Sequence, residues 1–235
     1  MAASLVTLRG FPVRAGTIVM PAYGAWVATL TLTRAEPVDG TPFANVVTIG
    51  ALSLVGTRLR SLDVEGSLAA RVIGGGGGWS SSVAAKPYSV PSGVPASLVA
   101  ADLASECGER LDLSAAGPGG SWSLGPRWLR MASSAASALD MITAVAPGAG
   151  SPVEGWWVGE DGTTRIGARA STLVPSRFDY LRGAGHRGRY EIATDHYEDW
   201  LPGVTFSSPQ VSNRVGCVVH TFDAQSVVTE VLTWR

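Results

Sequence analysis

The chain has 235 residues, enough for one large or two small domains with a real core, and it is 46% hydrophobic and 16% charged, against a usual charged share of about 25%. A formal net charge of −1 offers no basic footprint for sequence-specific nucleic-acid binding, and no apolar run approaches the roughly 20 residues of a membrane span, so no membrane insertion is expected. So little charge fits either a large core or a surface buried against partner chains.

Met1 to Gly10 lacks a basic segment followed by a long apolar stretch, so no signal peptide is expected. The two cysteines, Cys107 and Cys217, form no CxxC pair and no disulfide framework, and a reducing cytosol is the simpler place of synthesis.

The first third reads as strands. Trp26, Ala28, Leu30 and Leu32 alternate with Val27, Thr29, Thr31 and Thr33 at period 2, the mark of a half-buried strand. Glu36 to Pro42 reads as a turn around Asp39-Gly40. Val46 to Val55 reads as a second strand ended by Gly56, Thr57 to Glu65 as a third with Arg58 and Arg60 on one face, and Leu68 to Ile73 as a fourth. Short strands at this spacing predict a small barrel or sandwich. Gly74 to Gly78 are five consecutive glycines. No Lys-Ser/Thr pair or helix follows them, so a phosphate-cradling loop is not expected. A flexible connector or a close approach of two backbones is the better reading.

The middle reads as helical. Pro95 suits a first turn, Val99, Leu103 and Cys107 recur at i, i+4, i+8, and Gly108 is a natural stop. A second helix is predicted from near Pro126, with Trp128, Met131, Ala135, Leu139, Ile142 and Ala146 as one stripe, ended by Pro147-Gly148. Ala115 to Gly125 between them reads as a loop.

The last third returns to strands. Glu154 to Gly167 reads as a hairpin turning at Glu160-Asp161-Gly162. Arg189 to Ala193, Val211 to Phe222 and Ser226 to Trp234 are further strands, and Val215, Cys217 and Val219 are placed on one face, which makes Cys217 core. The fold class expected is mainly β with a small α portion (α+β), with two small β-barrel-like domains, residues 1–75 and 151–235, linked by a Gly/Ser-rich and helical middle, 76–150.

The residues predict no catalytic site, no cofactor site and no metal site. His186, His196 and His220 lack zinc-ligand spacing with each other or with cysteine. There is no GxSxG elbow. Asp195-His196 are adjacent, which in an extended segment sends the two side chains to opposite sides. Glu160 and Asp161 on a tight turn, Glu191, and Glu198-Asp199 read as solvated carboxylates rather than a glycosidase pair. Trp156-Trp157 and Trp200 could stack on sugars, but core and interface roles are commoner for tryptophan. No enzymatic activity is expected.

The order of features resembles the baseplate hub proteins of phage tails, the T4-type hub and late-control D-like family shared with contractile injection systems. Three stretches bring the likeness. Ala135 to Ala146 followed by Gly155-Trp156-Trp157-Val158-Gly159-Glu160-Asp161-Gly162-Thr163-Thr164-Arg165-Ile166-Gly167 is similar to the hub segment in which a helix precedes a strand, a glycine turn and a short strand. Trp200-Leu201-Pro202-Gly203 and then Arg214 to His220 look like the start of a closing barrel, and Thr229-Glu230-Val231-Leu232 like the strand after it.

The resemblance implies a structural virion protein of the tail baseplate, made in the host cytoplasm. It implies a homotrimer in which each chain contributes two tube-type barrels to a ring. The ring would join the tail tube to the central spike and enclose the DNA channel, with a lining of mixed or negative charge and no sequence contact to the DNA. The partners implied are further copies of the chain, a tail tube or distal tail protein, the central spike, the tape measure protein and baseplate wedge proteins. Alternatives are a hexameric distal tail or tube-initiator protein, a carbohydrate-binding module of a tail, and a cell-wall hydrolase.

Overall fold

The structure, a computed structural model, describes residues 5–32, 40–64, 67–116, 122–174, 179–184, 188–207, 212–223 and 225–234. Most of the predicted turn at Glu36 to Pro42, and His186, lie outside them. Six strands open the chain: β1 (Val6–Leu8), β2 (Phe11–Pro21), β3 (Val27–Leu32), β4 (Asn45–Ile49), β5 (Leu52–Val64) and β6 (Ser67–Gly74). They pair in the order β1-β4-β5-β6-β3-β2, and β2 pairs back onto β1, so the sheet closes into a six-stranded barrel. The inward side chains of each strand fill it: Leu8, Ile18, Leu30, Val47, Leu54 and Val72 are all essentially fully buried. Each contributes on the order of 2 kcal/mol relative to leaving it exposed.

Within this barrel the expected β3 alternation is present, with Ala28, Leu30 and Leu32 inward. The run Val46 to Val55 is not one strand but a hairpin. Ile49 pairs with Leu52 across the two-residue loop Gly50-Ala51, and Gly50 takes φ +56°, the positive value a glycine-first hairpin turn requires. Gly56 does not end a strand either. It lies inside β5, where a Cβ would stand 2.3 Å from the Ile73 carbonyl oxygen and 2.8 Å from the Trp26 ring. Arg58 and Arg60 do not share a face. The register slips between them, so Arg58 opposes Val72 of the barrel interior while Arg60 opposes Arg71 outside.

The middle holds β7 (Ser82–Val83), β8 (Lys86–Ser89), α1 (Ala96–Cys107), β9 (Leu111–Asp112), β10 (Arg127–Arg130), β11 (Ser133–Ser134) and α2 (Ala135–Ala144). Helix α1 is as predicted, from Pro95 to a Gly108 cap at φ +69°, although Cys107 is half-buried against the core rather than inside it. The second helix starts nine residues later than expected. Residues 127–130 pair antiparallel with β8 and alternate at period 2, Arg130 buried and Leu129 53% exposed. The helix begins only where Ser134 Oγ accepts the Ser137 amide as an N-cap. From Ala135 the predicted stripe holds, with Ala135, Leu139, Ile142 and Ala146 fully buried.

The hairpin forms as β12 (Gly155–Val158) and β13 (Thr164–Gly167), with Gly162 at φ +76° in the turn. Its sheet is completed by β9, parallel to β13, and Trp156 donates to Asp140 Oδ1 of α2 at 2.7 Å. The hairpin is therefore packed with the middle segment, across the expected division at 151.

The remaining strands are β14 (Asp179–Ala184), β15 (Arg189–Ala193), β16 (Thr205–Ser207), β17 (Ser212–Phe222) and β18 (Val227–Thr233). They do not stand apart from the barrel. β17 pairs with β2, Ile18 opposite His220, so the sheet continues as β2-β17-β18-β15-β14. A bulge at Gly216 breaks the predicted sharing of a face by Val215, Cys217 and Val219. The core side is Val215, Val218, His220 and Phe222, while Cys217 and Val219 are half-buried on the other side.

Candidate assembly face

Eight strands, in the order β5-β6-β3-β2-β17-β18-β15-β14, form one unbroken sheet. One side packs on the core. On the other, cross-strand partners line up in rows. One row runs Ile73, Val27, Val19, Val219, Glu230, Glu191. The next runs Arg60, Arg71, Thr29, Thr17, Thr221, Val228. Period-2 alternation puts them there: the apolar residues between them go to the core, leaving Thr, Val and charged residues outward. The face is open to solvent, with Val19 36%, Leu62 55% and Leu232 38% exposed.

The sheet has two unpaired margins among the described residues. β5 pairs with β4 only as far as Gly56; from Thr57 on, its ladder partner is β6 alone. β14 pairs with β15 alone. Rows of unpaired backbone N–H and C=O groups are templates for another strand.

The residues considered for chemistry are scattered. Asp161 forms an ion pair with Arg165 at 2.8 Å. Burial opposes its ionisation, but the Arg165 guanidinium and the Thr163 amide outweigh burial and hold its carboxyl below the usual range. Glu154 accepts from the Tyr23 hydroxyl and from Arg214 at 3.4 Å; burial, then Glu154, push the Tyr23 phenol up. Asp195 and His196 are not on opposite sides of an extended segment. The chain bends at Asp195 and turns helically over Tyr197–Asp199, so His196 Nε2 comes within 3.6 Å of Asp195 Oδ1 and Nδ1 within 3.3 Å of Glu198 Oε1. His220 is fully buried, its Nδ1 3.0 Å from Thr229 Oγ1 and its ring edge-on to Tyr197; burial pushes its pKa down to about 4. Among the described residues no three His, Cys, Asp or Glu side chains converge as a metal site would need. Trp156, Trp157 and Trp200 are buried.

Sequence reading missed one anion cradle. The glycine run folds over the end of α1, where a Cβ on Gly78 would meet the Cys107 carbonyl oxygen at 2.0 Å. The Gly76 and Gly78 amides donate to the Glu109 carboxylate at 2.8 and 2.6 Å, and the Trp79 amide at 3.3 Å. The loop holds the chain's own carboxylate, about 30 residues away in sequence, so no local spacing could signal it. Burial pushes Glu109 above its usual range and the amides pull it back.

No protein-family model matches the chain, and no curated protein matches it in sequence. Solved structures do match its fold. An Escherichia coli protein, c3393, described as a component of the type VI secretion system with structural similarity to the T4 bacteriophage tail proteins gp27 and gp5, aligns with a TM-score of 0.62 at 10% identity, over 98% of this chain and 77% of its own. The 43 kDa tail protein of prophage MuSo2 from Shewanella oneidensis aligns with a TM-score of 0.62 at 9% identity, over 98% and 97%. A tail protein from Neisseria meningitidis MC58 aligns with a TM-score of 0.57 at 13% identity, over 96% and 94%. At such identities the likeness is one of fold: this mainly β chain, with its closed six-stranded barrel, has the fold of phage-type tail proteins.

Proposed function

We propose that the chain is a structural subunit of a phage-type tail, the baseplate hub, which trimerises into a ring between tail tube and central spike and encloses the DNA channel, without catalysis of its own. The observation behind this reading is the eight-stranded sheet with, among the described residues, one uncovered face and an unpaired margin at each end. A margin of β5 from one copy and β14 from the next are complementary in kind, so head-to-tail pairing can close a ring and leave no edge exposed. Each copy gives four strands from its barrel and four from its C-terminal sheet, which lets three copies present six similar four-strand sectors. The uncovered face then lines the channel, and the tail-protein fold supports a place in a virion tail.

The tail tube or distal tail protein, the spike, the tape measure protein and the wedge proteins are the partners this position implies. Native mass spectrometry of the purified chain tests it. Three copies are expected. Six copies favour the distal tail alternative, and a monomer that binds glycans overturns the hub. For the hydrolase alternative, zymography is expected to show no clearing; clearing lost in E154Q, E160Q or D161N overturns the non-catalytic reading.

A further inference from the structure

Register places two arginines side by side on the uncovered face. The slip after Arg58 turns Arg60 outward and sets it directly opposite Arg71 of β6. Residues so placed have Cβ atoms about 5 Å apart, and like charges there are destabilising. Both side chains are exposed, and neither forms an ion pair with a described residue. No described side chain on the β5-β6-β3-β2 half of this face is acidic. At the far end the like pair Glu191 and Glu230 is treated differently: Arg189 sits on Glu230 at 2.5 Å. The row leading away from the two arginines is Thr29, Thr17 and Thr221, hydroxyl groups that donate to phosphate oxygens and carry no base preference.

We propose that Arg60 and Arg71 form a phosphate-contact pair for the backbone of double-stranded DNA. The inference rests on the hub reading, because a ring holds duplex against this face and repeats the pair around the channel. It makes one sector of each subunit's lining positive, at the opposite end of the face from Glu191 and Glu230, within the mixed lining that the family resemblance implies. The pair would guide DNA electrostatically, without reading sequence.

Fluorescence anisotropy with the full chain and a labelled random duplex of about 30 base pairs tests this across a salt series. Wild type is expected to bind with an affinity that falls as salt rises. R60A/R71A is expected to bind about tenfold more weakly at low salt with a shallower salt slope, R60K/R71K to bind as wild type does, and R127A, which removes an exposed arginine on β10, to leave binding unchanged. Wild type that does not bind, R60A/R71A that binds equally well, or capture of polyglutamate in place of duplex overturns the pair. Electron micrographs of the same samples separate the two ideas: rings without duplex binding sink the arginine pair alone, whereas wild type without rings sinks the hub reading.

Discussion

Trp79 donates its indole N–H to Thr164 Oγ1 at 2.7 Å, and both side chains are buried. The bond ties the segment after the glycine run to β13, and Trp79 also packs on Trp156 with ring centres 5.5 Å apart. T164V keeps the shape and removes the acceptor, leaving a buried donor without a partner. It is expected to cost about 1–3 kcal/mol in urea denaturation, with little change in m-value.

The Glu109 cradle predicts a graded response. E109A removes the acceptor for three backbone amides and is expected to cost about 3 kcal/mol, while E109Q keeps one acceptor oxygen and is expected to cost less. Denaturant midpoints of the two variants, compared with wild type, check the order; equal midpoints would show that the amides find water instead.

His220 sets a pH dependence. In the unfolded chain its pKa is near 6.5, and in the fold burial brings it to about 4. Between those values the unfolded state binds more protons, so stability is intact above pH 6.5, falls by up to about 1.4 kcal/mol per unit as the pH drops, and levels off below 4. H220Q, which cannot titrate, is expected to flatten this window in thermal melts taken from pH 7 to pH 4.

Gly56 predicts a steric failure. Its absent Cβ is what lets Trp26 and the Ile73 carbonyl approach β5. G56A is expected to destabilise the barrel by about 2 kcal/mol or more, since backbone rather than a flexible side chain must move. A normal melting temperature for G56A would contradict the packing described.

Local signals were readable where one periodicity ran unbroken. The β3 alternation, the Pro95-to-Gly108 helix and the Asp161-Gly162 hairpin all formed where the residues place them. The readings that failed did so at single-residue events. The slip between Arg58 and Arg60 and the bulge at Gly216 each reverse which side chains face the core; the first has no local composition mark, and the second is marked only by a glycine inside a strand. Trp128, Met131 and Ala135 mimic helical spacing although the first lies in a strand pairing with Tyr88. β2 does not stand out in the sequence, because Pro12, Gly16, Pro21 and a slip between Val13 and Ala15 obscure its alternation. The candidate assembly face is not legible in the sequence, because it exists only through pairings between distant segments.

The β2–β17 ladder has a consequence for biogenesis. Ile18 leaves the ribosome about 200 residues before His220, its partner in the sheet. At roughly 5–20 residues per second, the barrel strands wait for some tens of seconds beside an unfilled place. The complete eight-stranded sheet arises only once the strands up to β18 have been made. On the proposed hub reading, a nascent chain would until then lack the finished sheet whose margins pair with its neighbours.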